Sequence, residues 1–188
     1  LSGRIRTPFT QMVVSAESKL DIHPTVMACV SSTLEGNVTI QANSIVHPNA
    51  TIRATAGPIV IGANNVIEEN SLIENTNENG EPLIIGDDNT FEIGSVVRAA
   101  RVGSGNVFGV QSVVGPGVLI TDACSIGVRC SVLRRGVELP PRTAIFGEHN
   151  TRRTAATEPA TQVSILDVQR KLLANYHRFH GRAAPAAK

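Results

Sequence analysis

Ile85-Gly86-Asp87-Asp88-Asn89-Thr90-Phe91-Glu92-Ile93-Gly94-Ser95-Val96-Val97 sets the beat of the whole chain. It holds two six-residue units. Each opens on a large apolar residue and carries a small or amide residue four places later. The same unit runs outward in both directions, led by Ile22, Ala28, Leu34, Ile40, Val46 and Ile52, then Ile61, Ile67, Ile73, Ile85, Phe91 and Val97. It continues through Val102, Phe108, Val114, Ile120, Ile126 and Val132 to Leu139 and Ile145. A period of six suits neither an α-helix nor a hairpin meander; it suits a short strand and a corner, repeated.

Side chains alternate along a strand, so the residue two before each leader also points inward. If three units close one triangular coil, every third unit stacks. The first face then reads Leu20, Val38, Ile59, Leu83, Ala100, Val118, Val137. The second reads Val26, Ser44, Asn65, Asn89, Asn106, Cys124, Thr143, and the third Ser32, Ala50, Ser71, Ser95, Ser112, Cys130. One column is apolar, one carries three successive asparagines and one three successive serines. The sorting predicts an all-β solenoid of about seven coils, roughly 30 Å long at 4.7–4.9 Å per rung. Asn65, Asn89 and Asn106 are expected to form a buried amide ladder, and Phe91 to stack on Phe108.

Composition agrees. Aromatic residues are 3% of the 188, as an Ile/Val solenoid requires, and the formal net charge of +1 gives no reason to expect nucleic acid. Three cysteines, two of them at inward positions, point to free thiols in a reducing compartment. No secretory signal and no membrane-spanning apolar run is visible, so a cytoplasmic address without direct membrane binding is expected.

The reading divides the chain into an irregular segment 1–13, coils over 14–147, a linker 148–162, an amphipathic helix 163–181 and a tail 182–188. Val14 and Ala16 fit the third-face register. Thr55-Ala56-Gly57-Pro58 is read as an added corner, and 74–82 (ENTNENGEP) as a polar loop serving recognition or simply inserted. Ser164 and Asp167 have capping-box spacing, with Val163 and Val168 as the hydrophobic staple. Ile165, Val168, Leu172, Tyr176 and Phe179 follow at helical steps, and Gly181 is a natural stop.

Tandem hexapeptides of this kind resemble the superfamily of left-handed parallel β-helices, whose members include acyltransferases, γ-class carbonic anhydrases and non-catalytic scaffolds. Handedness comes from this resemblance. Within it, GPIVIGANNVIEENSLI (57–73), IVHPNATI (45–52), PLIIGDDNTFEIG (82–94) and LLANYH (172–177) together resemble the dynactin subunit 6 family. The resemblance implies a non-catalytic adaptor of the pointed-end complex, without cofactor, supporting dynein-based microtubule transport and cargo attachment. It implies dynactin subunit 5, dynactin subunit 4 and a pointed-end actin-related protein as neighbours.

The residues weigh against enzyme readings. A γ-carbonic-anhydrase site needs three histidines around one zinc. Of His23, His47, His149, His177 and His180, only the first two lie in the coils, at different corners. Acyl transfer needs a general base beside a cleft, and the 74–82 loop contains no histidine. The run 103–109 (GSGNVFG) lacks the Gly-Lys-Ser/Thr ending of a phosphate loop, and its glycines fall at corners.

What remains is surface. Acidic residues crowd the central coils (Glu68, Glu69, Glu74, Glu78, Glu81, Asp87, Asp88, Glu92), and arginines the later ones (Arg98, Arg101, Arg129, Arg134, Arg135, Arg142). Outward apolar residues line up as Leu72–Val96–Val113 on the third face and as Ile45, Val66 and Val107 on the second, broken by Thr90. The first face carries Val60, Ile84 and Leu119, broken by Arg101. Contiguous apolar stripes call for a partner. The expectation is that Leu166, Leu172, Leu173 and Tyr176 cover the third-face stripe, with the helix running back toward the N-terminus. The candidate interaction surface is Leu72, Val96, Val113, Glu74, Glu78, Arg98, Arg134, Arg135, Leu172 and Tyr176.

Overall fold

The computed structural model describes residues 18–77, 79–176 and 178–180, without the side chain of Tyr176. Segment 1–13, Val14, Ala16, Glu78, His177, Gly181 and the tail 182–188 therefore lie outside the described residues.

Within them the chain is a left-handed parallel β-helix of about seven turns followed by one helix. The stacking follows the columns. On the first face Leu20 pairs with Val38, Val38 with Ile59 and Ile59 with Leu83, and further on Arg101 pairs with Ile84 and Leu119. On the second, Met27, Ile45, Val66, Thr90, Val107, Ser125 and Ala144 succeed one another. The third stacks Thr33, Thr51, Leu72, Val96, Val113 and Ser131. Every leader from Ala28 to Ile145 is buried. Phe91 and Phe108 stack with ring centroids 4.7 Å apart.

Corners obey a rule that the apolar pattern does not announce. At most corners that follow first- and second-face leaders, the residue three places after the leader takes positive φ, as in Asn43, Asn49, Asn64, Asn70, Asp88, Gly105 and Gln111. Asparagine and glycine tolerate that conformation best, which explains their frequency there.

The amide ladder is present. Asn89 Nδ2 donates to Asn65 Oδ1 at 3.0 Å, and Asn106 Nδ2 to Asn89 Oδ1 at 2.9 Å. The same oxygens also accept backbone N–H groups from the following coil, those of Asn89 and Asn106. Asn106 Oδ1 in turn accepts the N–H of Cys124 at 2.7 Å. Each amide thus satisfies a corner donor that the strand ladder leaves orphaned.

Two insertions interrupt the repeat. Residues 55–58 bulge out of the ladder: the strand Thr51–Ile61 runs from the third face to the first beside Thr33–Ile40, but Ala54 pairs with Gly36 and Ile59 with Val38, so residues 55–58 stand opposite Asn37 alone. The chains approach closely there, and a Cβ on Gly36 (φ +81°) would run into the Ala54 carbonyl. The 74–82 loop is clamped at its base by buried Asn75. Its Nδ2 donates to the carbonyls of Pro58 (2.8 Å) and Glu81 (2.9 Å), and its Oδ1 accepts the Asn77 N–H.

The stretch 148–162 is not structureless. After Gly147 the chain reverses, and Thr151–Thr154 pairs antiparallel with Thr143–Phe146 on the second face. Entry into the helix also differs. Gln162–Ile165 forms a 3₁₀ turn ahead of Leu166–Tyr176, so Ser164 lies inside a turn and is not the N-cap. Val163 packs inward with Leu166 while Val168 is exposed, so the staple does not form.

Candidate interaction surfaces

The helix lies on the second face. Leu166 and Leu173, flanked by Val163 and Phe179, pack on Met27, Cys29, Ile45 and Val66. The third-face placement is therefore corrected. Its direction holds: Gln162 N–H donates to Thr90 Oγ1 in the fourth coil, and Arg170 reaches the carbonyls of Thr25 (2.7 Å) and Asn43 (3.3 Å) near the first. Past the helix, Phe179 bridges Cys29 antiparallel. The Val30 N–H donates to the Arg178 carbonyl, and the His180 N–H to the Ala28 carbonyl. The C-terminal segment thus pairs with the second face at both ends and crosses it between them.

Leu172, expected in the contact, is 55% exposed and Ile165 and Val168 are exposed beside it. The 3₁₀ turn sets the phase: it brings Leu166 and Leu173 underneath, one position on from the stripe read in the sequence.

Under this strap lies Cys29, whose thiol burial pushes up to about 11, the charge of Glu69 adding to the effect. His47 Nδ1 sits 2.9 Å from Glu69 Oε1. His47 Nε2, Gln169 Oε1 and His180 Nε2 are buried without hydrogen-bond partners among the described residues. His23 turns onto Thr25 Oγ1 at 2.9 Å, so the two coil histidines serve different local bonds. Among the described residues no three His, Cys, Asp or Glu side chains are grouped to hold a metal ion.

On the third face Leu72, Val96 and Val113 stack in register and are half-buried, with no helix over them. Glu74 and Arg98 lie alongside in a ladder that the sequence reading missed. Arg53 Nε meets Glu35 at 2.8 Å, Arg53 Nη1 meets Glu74 at 3.5 Å, and Arg98 Nε meets Glu74 at 2.6 Å. The Arg98 hydrogen bond, ahead of the other charges, holds the Glu74 carboxyl below the usual range. The signal was available: these four residues each follow a third-face leader.

The central acidic cluster is largely spent inside the fold. Glu68 accepts the Ile93 N–H (3.0 Å), Asp87 that of Ala63 (2.7 Å) and Glu92 that of Val110 (3.0 Å), while Asp88 accepts from the Asn64 amide. Arg134 and Arg135 are exposed beyond the last third-face strand, with Arg135 lying against Gly117. Glu78 and the Tyr176 side chain lie outside the described residues.

No family model matches the sequence. Dynactin subunit 6 of Danio rerio is 38% identical over 175 residues, covering 88% of this chain and 89% of that protein. The chain belongs to the dynactin subunit 6 family. A carbonic anhydrase of Methanosarcina thermophila is 31% identical over 134 residues, spanning 67% of this chain but 53% of that protein. A hexapeptide transferase family protein from Anaplasma phagocytophilum superposes with a TM-score of 0.68 at 16% identity, covering 87% of this chain and 95% of that one. At that identity the likeness concerns the fold alone.

Proposed function

We propose that the chain is a non-catalytic structural subunit of dynactin, acting in the pointed-end complex and supporting dynein-based transport in the cytoplasm. Dynactin subunit 5, dynactin subunit 4 and a pointed-end actin-related protein are its proposed neighbours. The observation that carries the reading is the 38% identity with dynactin subunit 6 of Danio rerio over most of both chains. The geometry is compatible with it. The inward columns are filled by packed leaders and by hydrogen-bonded amides, and the coil histidines are engaged in separate local contacts. The distant carbonic anhydrase relative makes a metalloenzyme the alternative, and the placement of His23 and His47 does not favour it.

The test is incorporation. Purified chain added to affinity-tagged dynactin lacking its own subunit 6 should co-elute at one stoichiometry with the complex. Failure to co-elute, together with stoichiometric zinc and CO2 hydration by the isolated chain, would replace this reading with the enzyme.

A further inference from the structure

Resting on the subunit reading, the surface through which the chain meets its neighbour can be narrowed. The strap covers the second face where it is most apolar. The C-terminal end of the coils is blunted: the Ser131 N–H is taken by Asn150 Oδ1 at 2.6 Å, and the last first-face strand runs into Pro140 and Pro141, which have no N–H to offer. On the third face the charges already neutralise one another, and its apolar column is only half-exposed.

The first face is different. Ile84 (47% exposed) and Leu119 (36% exposed) stand on either side of Arg101 in direct register. With Val60 next in line they form an outward patch about 14 Å long at roughly 4.8 Å per rung. Arg101 is exposed, and no described residue accepts a hydrogen bond from its guanidinium. Beside it lies a shallow hollow of about 240 Å³ between Arg101, Leu119 and Glu138.

We propose that this first-face patch is the docking surface for a neighbouring protein subunit, which presents a carboxylate ringed by apolar side chains. The apolar rungs supply buried area. The cation dictates the partner's chemistry, because covering an arginine without an opposing charge costs more than the patch returns. An arginine flanked by apolar side chains, as Arg101 is by Ile84 and Leu119, is also a residue type on which binding energy concentrates at protein interfaces. One such cation in a chain of net charge +1 does not make a nucleic-acid surface.

Competition between variant and wild-type chain for tagged dynactin lacking subunit 6 tests this. Arg101→Glu and Ile84→Asp should each reduce incorporation at least tenfold, with melting temperatures close to wild type. Thr33→Lys on the third face should stay within about twofold, and Arg101→Lys should fall between. Arg101→Glu incorporating as wild type does would overturn the inference while leaving the subunit reading intact. Wild-type chain that fails to incorporate would overturn the subunit reading, and this inference with it.

Discussion

The second and third outer faces start from similar material and end differently. Each carries an outward apolar column, Met27–Ile45–Val66 on one and Leu72–Val96–Val113 on the other. The first column is fully buried and the second half-exposed. The cause is where the chain leaves the solenoid. Gly147 reverses it into an antiparallel strand on the second face, so the strap begins there instead of following the winding onward. The 3₁₀ turn starts where Thr90 interrupts the second-face stripe, because that hydroxyl accepts the Gln162 N–H. A polar break in an apolar stripe is here a landing point. The two faces also differ in how they are held. The second-face asparagines of the coils satisfy one another and the corner donors rung by rung, whereas the strap packs as a separate small cluster, with His47 Nε2, Gln169 Oε1 and His180 Nε2 buried at its contact with the coils.

The largest effect should come from the coils. Asn89→Leu removes the acceptor of the Asn106 N–H and of the Asn106 amide, and a donor to Asn65. At about 1–3 kcal/mol for each stranded group, the whole solenoid should melt many degrees lower. An unchanged melting temperature would mean that the ladder contributes nothing.

Leu173→Ala should cost about 2–3 kcal/mol, expressed locally. Hydrogen exchange should accelerate over 166–176 and leave the second-face coils protected. Exchange rising equally in both would remove the distinction between strap and coils.

Glu74→Gln should act through pH. The Glu74 carboxyl is held low in the folded state, so its contribution is fully present above the ordinary value near 4.5 and is lost as pH falls through the lower folded value. The wild type should lose stability relative to Glu74→Gln on acidification in that range. Parallel curves for the two proteins would show that the third-face ladder is only a surface arrangement.

Smallest of all, Leu172→Ala should change stability by less than about 0.5 kcal/mol, since the side chain faces solvent. A loss comparable to that of Leu173→Ala would put the helix in the other phase.

The solenoid was legible because its signal is repeated about seven times and each column checks the others. Asn65, Asn89 and Asn106 fall in one column only if three hexads make a coil, so the ladder could be read before any coordinates. The strap occurs once and had no such check. Its helix carries two adjacent apolar stripes, Ile165–Val168–Leu172 and Val163–Leu166–Leu173, and sequence periodicity cannot choose between them. The choice is made by the 3₁₀ turn, a tertiary effect. The reversal at Gly147 was equally hidden, because an antiparallel return of four exposed residues, Thr151–Thr154, has no apolar pattern. Of the candidate surface, the Leu72–Val96–Val113 register is legible in the sequence, but the neutralising ladder of Glu35, Arg53, Glu74 and Arg98 emerges only when charges are aligned by column and not by region.

The separation of coils and strap has a direct reporter in the three buried cysteines. Cys29 lies beneath the strap, while Cys124 and Cys130 lie in the coil core. Alkylation mapped cysteine by cysteine across a denaturant series should label Cys29 at concentrations that leave Cys124 and Cys130 protected, because the strap opens while the solenoid stays folded. Simultaneous labelling of all three, at the global unfolding midpoint and nowhere below it, would contradict the account and make strap and coils a single cooperative unit.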